Sequence, residues 1–318
     1  MANHNLKERM LATLYGGIIG DVMGVPVEFK PRGTFYVEDM IGYGTYNQPP
    51  GTWSDDTSLT LCLVENIIEQ GNTASLMDKF VLYMEQGYCT PFDEMFDIGI
   101  TTAEAVSNYK KGSLPEHCGK TGEFDNGNGA LMRIAPIAFA MLNELDFTKR
   151  AALIQQYTAI THAHPRSLVG SIIYIEILLS LYRNNSLAAA LQEVHLLVNN
   201  HLQGDAKAEL ASYHRIFQED FFKLAEDAIQ SSGYIIHSLE AALWCVGTTA
   251  TFKEAVLKAV NLGEDTDTVA AIAGTLAGMY YPLEDIPTEW LNKVVKKQEI
   301  DQLLLSFYQA CVQQEHEK

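Results

Sequence analysis

Residues 261–281 read NLGEDTDTVAAIAGTLAGMYY, and this stretch decides how the rest of the chain is understood. Three carboxylates (Glu264, Asp265, Asp267) and two hydroxyls (Thr266, Thr268) crowd one turn. The spacing predicts a helix over Thr268–Met279. Along it Ala270, Ala271, Ala273, Gly274, Ala277 and Gly278 leave little side-chain bulk, so neighbouring helices can approach closely. Capping a helix start needs one or two oxygens. The surplus here leaves two readings open: an over-supplied cap, or oxygen ligands for a hard divalent cation.

Helical patterning continues outward in both directions. Leu6, Met10, Leu11, Leu14 and Ile18 place a helix over Asn5–Ile19, and Leu59, Leu63, Val64, Ile67 and Ile68 place another over Thr57–Glu69. Further helices are predicted over Ser75–Gln86, Asp93–Asn108, Ala130–Leu142, Thr148–Ile160 and Arg166–Tyr182. The remainder are Ser186–Asn199, Ala206–Ile229, Ser238–Val246, Phe252–Leu262 and Asp301–Gln313. Prolines fall mostly between these segments, and Pro136 is expected to offset a helix start. Thr34–Met40 is the one candidate strand. The fold class expected is all-α, with no linker, composition break or internal repeat dividing residues 1–318.

The 318 residues are 47% hydrophobic and 19% charged, which excludes a disordered or collagen-like chain. Lys and Arg total 22 against 40 Asp and Glu, a formal charge of −18. Such a surface has no cationic excess to displace counterions, so binding to a nucleic-acid backbone or to anionic lipid is not expected. Cys62, Cys89, Cys118, Cys245 and Cys311 are odd in number, widely spaced and without a CxxC pair, as in a protein with reduced thiols. MANHNLKERM lacks the apolar core of a signal peptide, and no apolar stretch approaches bilayer length. The expected location is cytoplasmic.

Four other segments carry chemistry. Gly51-Thr52-Trp53-Ser54-Asp55-Asp56-Thr57 ends a Gly/Pro-rich loop and opens a helix with paired carboxylates, again either cap or metal ligand. If the two acidic turns meet, Asp55, Asp56, Asp265 and Asp267 repel one another unless cations lie between them, and two divalent ions would balance the four charges. Asn126-Gly127-Asn128-Gly129-Ala130-Leu131-Met132-Arg133 is neither a P-loop nor GxGxxG. Its Gly and Asn residues tolerate positive φ, so its amides are candidates for an anion-binding nest, with Arg133 a candidate phosphate or ion-pair partner. Thr161-His162-Ala163-His164 reads as a hydrogen-bonding junction rather than a zinc site. Gly16-Gly17-Ile18-Ile19-Gly20-Asp21-Val22-Met23-Gly24, running on to Glu28, allows close helix crossing and places two acids among apolar residues, where each needs a partner or shifts its pKa.

Taken together, GGIIGDVMGVPVEF, PPGTWSDDTSLTLCLVE, FDIGITTAEA, GNGALMRIAPIA, THAHP, SGYIIHSLEAALWC and NLGEDTDTVAAIAGTLAGMYY resemble the ADP-ribosylglycohydrolase family from about Leu11 to Tyr281. The resemblance implies a single compact orthogonal multi-helix bundle around a binuclear site of Mg2+ or Mn2+. It implies hydrolysis of the glycosidic bond between ADP-ribose and an acceptor on a protein or small molecule. By the same resemblance Ser54, Asp55, Asp56, Asp265, Asp267 and Thr268 are metal ligands. Glu28 and Asp97 are the candidate catalytic acids, and Gly127, Asn128, Gly129, His162 and Tyr234 line the substrate. Ser54 stands where many members have threonine, and Glu264 where many have glycine. Two rivals remain: a relative that binds ADP-ribose without turnover, and a haloacid-dehalogenase-type phosphatase suggested by Asp265-Thr266-Asp267-Thr268-Val269. The latter needs a strand before its first aspartate.

Overall fold

The computed structural model describes residues 6–183 and 185–316. Fourteen α-helices are present among the described residues, and no strand; three isolated bridges are the extent of extended pairing. The first four helices are α1 (Leu6–Gly24), α2 (Asp55–Ile68), α3 (Thr73–Gln86) and α4 (Ile100–Lys110). Next come α5 (Pro136–Ala140), α6 (Phe147–Ala159), α7 (Pro165–Tyr182), α8 (Leu187–His201) and α9 (Gly204–Glu209). The chain continues through α10 (Ile235–Gly247), α11 (Phe252–Asn261), α12 (Thr266–Tyr280), α13 (Thr288–Lys293) and α14 (Lys297–His316). The all-α expectation holds. A phosphatase of the haloacid-dehalogenase type does not fit, because Asp265 opens a helix and no strand precedes it.

The centre of the fold is the antiparallel crossing of α1 and α12. A Cβ built on Gly16 would lie 2.1 Å from the carbonyl oxygen of Gly274, and one on Gly20 would lie 1.9 Å from that of Ala270. One on Gly278 would lie 2.0 Å from the oxygen of Ala12, and one on Gly24 would lie 2.3 Å from Asp267 Cα. The contacts recur every turn, so the backbones touch over the whole length of the crossing. Because the helices are antiparallel, the end of α1 meets the start of α12. The acids after Gly20 are thereby brought to the turn that carries Asp265 and Asp267.

Two helices, Leu6–Val27 and Pro165–Tyr182, are long and apolar enough to cross a membrane by length and composition, which corrects the expectation that no apolar stretch approaches bilayer length. Both are mostly buried inside the protein, so their hydrophobicity is spent on the core. The core also holds an ion pair between Arg150 and Glu176, with Nε and Nη2 donating to the two carboxylate oxygens at 2.7 and 2.8 Å.

Some predicted elements differ. Asn5 lies outside the described residues, and α1 runs on to Gly24. Thr34–Met40 is loop: the amide and carbonyl of Val37 are satisfied by the Asn261 side chain, leaving no need for a strand partner. Residues 93–99 precede α4 instead of forming its first turns, held by Tyr83 Oη donating to the Asp97 carbonyl at 2.5 Å. Ala130–Leu142 is a series of turns with helix over Pro136–Ala140 alone, and Pro136 takes the first helical position. Ala206–Ile229 gives only α9 and then 3-10 turns. Its buried Leu210, Tyr213 and Ile216 recur every three residues, the period of a 3-10 helix.

Candidate active site

Asp21 organises the site from below. Its carboxylate is fully buried and accepts from the Ser54 amide at 3.0 Å, the Thr57 amide at 3.0 Å and the Thr57 hydroxyl at 2.6 Å. These are orphan donors of the first turn of α2, so Asp21 fixes that helix against α1. Burial pushes its pKa up to about 6 against the opposing effect of those bonds. Asp21 is thus a positioning residue, a role its isolation in an apolar stretch hinted at.

The capping question is settled by Ser54. Its hydroxyl oxygen accepts from the Asp56 amide at 3.3 Å, so neither Asp55 nor Asp56 is consumed as the cap. Both carboxylates are buried. Asp55 receives only the Gly99 amide, at 3.3 Å. Asp56 receives the Thr268 hydroxyl at 3.1 Å, which joins the starts of α2 and α12, while its Oδ1 has no partner. Asp267 accepts from the Thr268 amide at 2.9 Å, and Asp265 from Asn128 Nδ2 at 2.6 Å.

The remaining acids arrive from loops. Glu28 follows the 3-10 turn after α1, and Asp97 sits before α4. Carboxylate oxygens of Glu28, Asp97 and Asp267 lie within 4.8 Å of one another, close enough to share a metal ion. The Tyr46 hydroxyl interacts electrostatically with both Glu28 and Asp97. Nothing in the sequence of the loop before Gly51 distinguishes Tyr46 from its other tyrosines. Glu28 Oε2 is buried without a partner.

The electrostatics follow from this crowding. Burial, reinforced by neighbouring carboxylates, raises Asp55, Asp56 and Asp267 well above the carboxylate range. Burial also raises Asp265 and Asp97, and burial with Asp97 nearby lifts Glu28 to about 8. None of the ion pairs of the described residues supplies a cation to them. Buried carboxylates with orphaned oxygens and no cationic partner fit divalent cations, whose hard charge prefers oxygen ligands.

A carboxylate whose folded pKa is raised binds more protons in the folded state between its unfolded and folded values, so stability falls as pH rises through that window. For Glu28 the window runs from the ordinary value of 4.5 to about 8. His162 acts oppositely and only at lower pH, since burial, with Arg133 adding, depresses it from 6.5 to about 3. Between pH 6.5 and 8 the chelated protein should therefore lose thermal stability as pH rises, by up to about 1.4 kcal/mol per pH unit for each titrating group. A divalent cation should flatten or reverse the slope. Thermal melts in chelator across that range check this, and a rising melting temperature would refute the carboxylate assignment.

The cluster opens into a cleft of about 450 Å3 whose walls include Glu28, Asp55, Asp97, Gly127, Asn128, Gly129, His162, Asp265 and Thr268. Ser54, Asp56 and Asp267 are buried beneath these residues. The 126–129 turn does not form the expected left-handed nest, because none of its residues has positive φ. Its glycines instead give room: a Cβ on Gly129 would lie 3.0 Å from both His162 Cε1 and Thr102 Oγ1. The Asn128 amide is spent on the Gly233 carbonyl, at 3.0 Å, while its side chain bridges Asp265 and the Ser238 hydroxyl. His162 is neutral, with Nδ1 2.9 Å from Thr161 Oγ1. Arg133 is not in the wall of the cleft and pairs with no acid among the described residues. It is buried, donates to the Tyr157 carbonyl and to Thr161 Oγ1, and lies over the Phe80 ring.

Tyr234 stands beside the cleft rather than in its wall, where Ser232 and Gly233 are found. Its hydroxyl accepts from Arg166 Nη1 at 3.1 Å and its ring meets His237 edge-on. His164 caps α7 and lies 3.5 Å from Glu123, which Arg166 also binds.

Comparisons with known proteins agree with the all-α fold. The ADP-ribosylglycohydrolase family model matches residues 2–317. The chain is 33% identical over 315 residues to the ADP-ribosylarginine hydrolase Tri1 of Serratia proteamaculans, covering 95% of this chain and 80% of that protein. It is 30% identical over 310 residues to the ADP-ribosyl-[dinitrogen reductase] glycohydrolase of Rhodospirillum rubrum, covering 94% of each. A solved structure described as an ADP-ribosylglycohydrolase-related protein complex superposes with a TM-score of 0.81 at 31% identity, over 96% of this chain and 98% of that one. The chain therefore belongs to the ADP-ribosylglycohydrolase family, hydrolases that cleave the glycosidic bond of ADP-ribose.

Proposed function

We propose that this enzyme removes ADP-ribose from arginine side chains of modified proteins, using two divalent cations, Mg2+ or Mn2+, at the acidic floor of the cleft. The observation that carries the reading is the buried, cation-free carboxylate cluster opening directly beneath the glycine turn 127–129. Similarity to arginine-directed relatives at 33% and 31% identity supports the acceptor.

Ser54, Asp55, Asp56, Asp265, Asp267 and Thr268 would hold the cations. When bound, the cations supply Lewis-acid polarisation and offset the carboxylate charge. The chain's own groups do the rest. The amides of Gly127 and Gly129 make no backbone hydrogen bond and are free to meet a diphosphate, so an acidic protein needs no basic patch to bind this anion. Neutral His162, fixed through Thr161, offers its other ring nitrogen beside the same turn. Asn128 holds Asp265 in place. Glu28 and Asp97, whose carboxylate oxygens lie within 4.8 Å of each other, face the cleft as the pair that moves a proton to or from the reacting groups. The cluster's negative charge stabilises positive character at the anomeric carbon as the bond breaks.

The test is release of ADP-ribose from an arginine-modified protein and from serine- and nucleobase-linked substrates, in Mg2+ or Mn2+. Release from the arginine linkage is expected, falling about 100-fold or more after chelation and returning with added cation. Undiminished turnover in protein shown by metal analysis to be metal-free would overturn the metal reading. Tight ADP-ribose binding with no turnover of any linkage would favour a binding protein.

A further inference from the structure

Two residues at the mouth of the cleft adopt backbone conformations that side chains ordinarily avoid. Phe29 has φ 63° and Glu264 has φ 62°. They are clamped to each other: the Phe29 amide donates to the Glu264 carbonyl at 2.7 Å, and the Glu264 amide donates to the Lys30 carbonyl at 2.9 Å. A left-handed conformation is tolerated most readily by glycine, and a bulky aromatic there is an outlier that the surrounding structure must enforce. The enforced geometry presents both side chains to the cleft.

Neither side chain is used by the fold. Phe29 is 65% exposed, touched by one tilted ring, that of Tyr46, at 6.5 Å. The Glu264 carboxylate is exposed and makes no hydrogen bond or ion pair among the described residues. Of the two cations of the loop, Arg32 is committed elsewhere, donating to the carbonyls of Leu262, Glu226 and Ile229, and Lys30 meets Glu264 through its backbone carbonyl, with no ion pair between their side chains. An open aromatic face beside an unpaired carboxylate is the pairing that a guanidinium prefers, since its plane stacks on the ring while its N–H groups meet the oxygens.

We propose that Phe29 and Glu264 form the acceptor clamp of this enzyme, selecting a guanidinium leaving group at the cleft mouth. The inference rests on the arginine reading above and names the residues that impose it. The clamp touches only the acceptor half of the substrate, so free ADP-ribose binding does not depend on it.

Steady-state kinetics on ADP-ribosylated arginine with the full chain and Mg2+ or Mn2+, alongside calorimetric binding of free ADP-ribose, test the clamp. Glu264→Gln and Phe29→Ala should each raise KM about tenfold, with kcat changing less and ADP-ribose affinity unaltered. Phe29→Trp should keep a low KM. Glu264→Gly relieves the left-handed strain, so it should melt no lower than the wild type yet show the same KM defect, which separates recognition from folding. Wild-type turnover with unchanged KM in both Glu264 variants overturns the clamp and leaves the arginine reading standing. An equal loss of ADP-ribose affinity also overturns it, by showing a general disturbance of the cleft. Wild-type protein that cleaves other linkages but not arginine overturns both.

Discussion

Asp267→Ala is expected to lower glycosidic hydrolysis by about 10³-fold or more while leaving the protein folded. Asp267 is buried, belongs to the same carboxylate group as Glu28 and Asp97, and lies at the point where the end of α1 meets the start of α12. Its side chain contributes little to that junction, because Gly24 abuts the Asp267 backbone rather than its carboxylate. Glu28, Asp56 and Asp265 all push its pKa upward after burial, so removing it lessens repulsion in the metal-free protein. The variant in chelator should therefore melt at or above the wild-type temperature, and added Mg2+ or Mn2+ should stabilise it less. Activity assays with melts in chelator and in cation read both effects. An active variant, or one inactive because it melts lower in chelator, would remove Asp267 from the ligand set. Asp55→Ala should behave alike, since Asp55 accepts only the Gly99 amide.

The largest effect on stability is expected at the helix crossing. In Gly20→Ala the new methyl would lie 1.9 Å from the Ala270 oxygen and 2.6 Å from the Ala271 nitrogen, both main-chain atoms. Alanine improves helix propensity by about 1 kcal/mol, but forcing two backbones apart in a packed core costs about 3 kcal/mol or more. The melting temperature should fall by roughly 3–5 °C. Gly17→Ala is the milder comparison, since its methyl meets a side-chain atom, the Thr275 hydroxyl at 2.6 Å, whose displacement breaks one bond to the Ala271 carbonyl but moves no backbone. It should cost about 1 kcal/mol, the worth of that hydrogen bond, and melt above Gly20→Ala. Equal melting of the two variants would contradict the crossing described above. Gly20→Ala should also weaken cation binding, because Asp21 of α1 holds the start of α2, and with it Asp55 and Asp56, in place against the start of α12.

The legibility of this chain varied with the range of the forces involved. Helices with a 3.6-residue apolar period, such as α3 and α11, are readable because amphipathic burial writes itself into local spacing. Residues 210–217 followed a three-residue period and were misread as helix, and 93–99 take their shape from Tyr83 and Asp55, contacts that no local pattern records. In the site, both acidic turns, the Gly127–Gly129 turn and His162 were recognisable from residue type and resemblance. Asp21 was visible as an acid among apolar residues, though not as the residue that fixes α2. Tyr46 and the left-handed pair Phe29 and Glu264 depend on loops meeting, and their partners are far apart in sequence.

The sequence by itself determined the inventory: an all-helical chain, a pair of oxygen-rich helix starts, a small-residue helix and a family membership. These are properties of residue type and spacing, which act over a few residues. Only the tertiary structure decided that Ser54 and Asp21 together satisfy the first turn of α2, so that neither Asp55 nor Asp56 is consumed as its cap, and that the glycines at 127–129 make room for His162 instead of a left-handed nest. It also placed like charges from residues 28, 97 and 267 within ion-sharing distance. Such an arrangement is unfavourable locally and exists because the close α1–α12 crossing, stabilised over its whole length, holds the acids there against their repulsion.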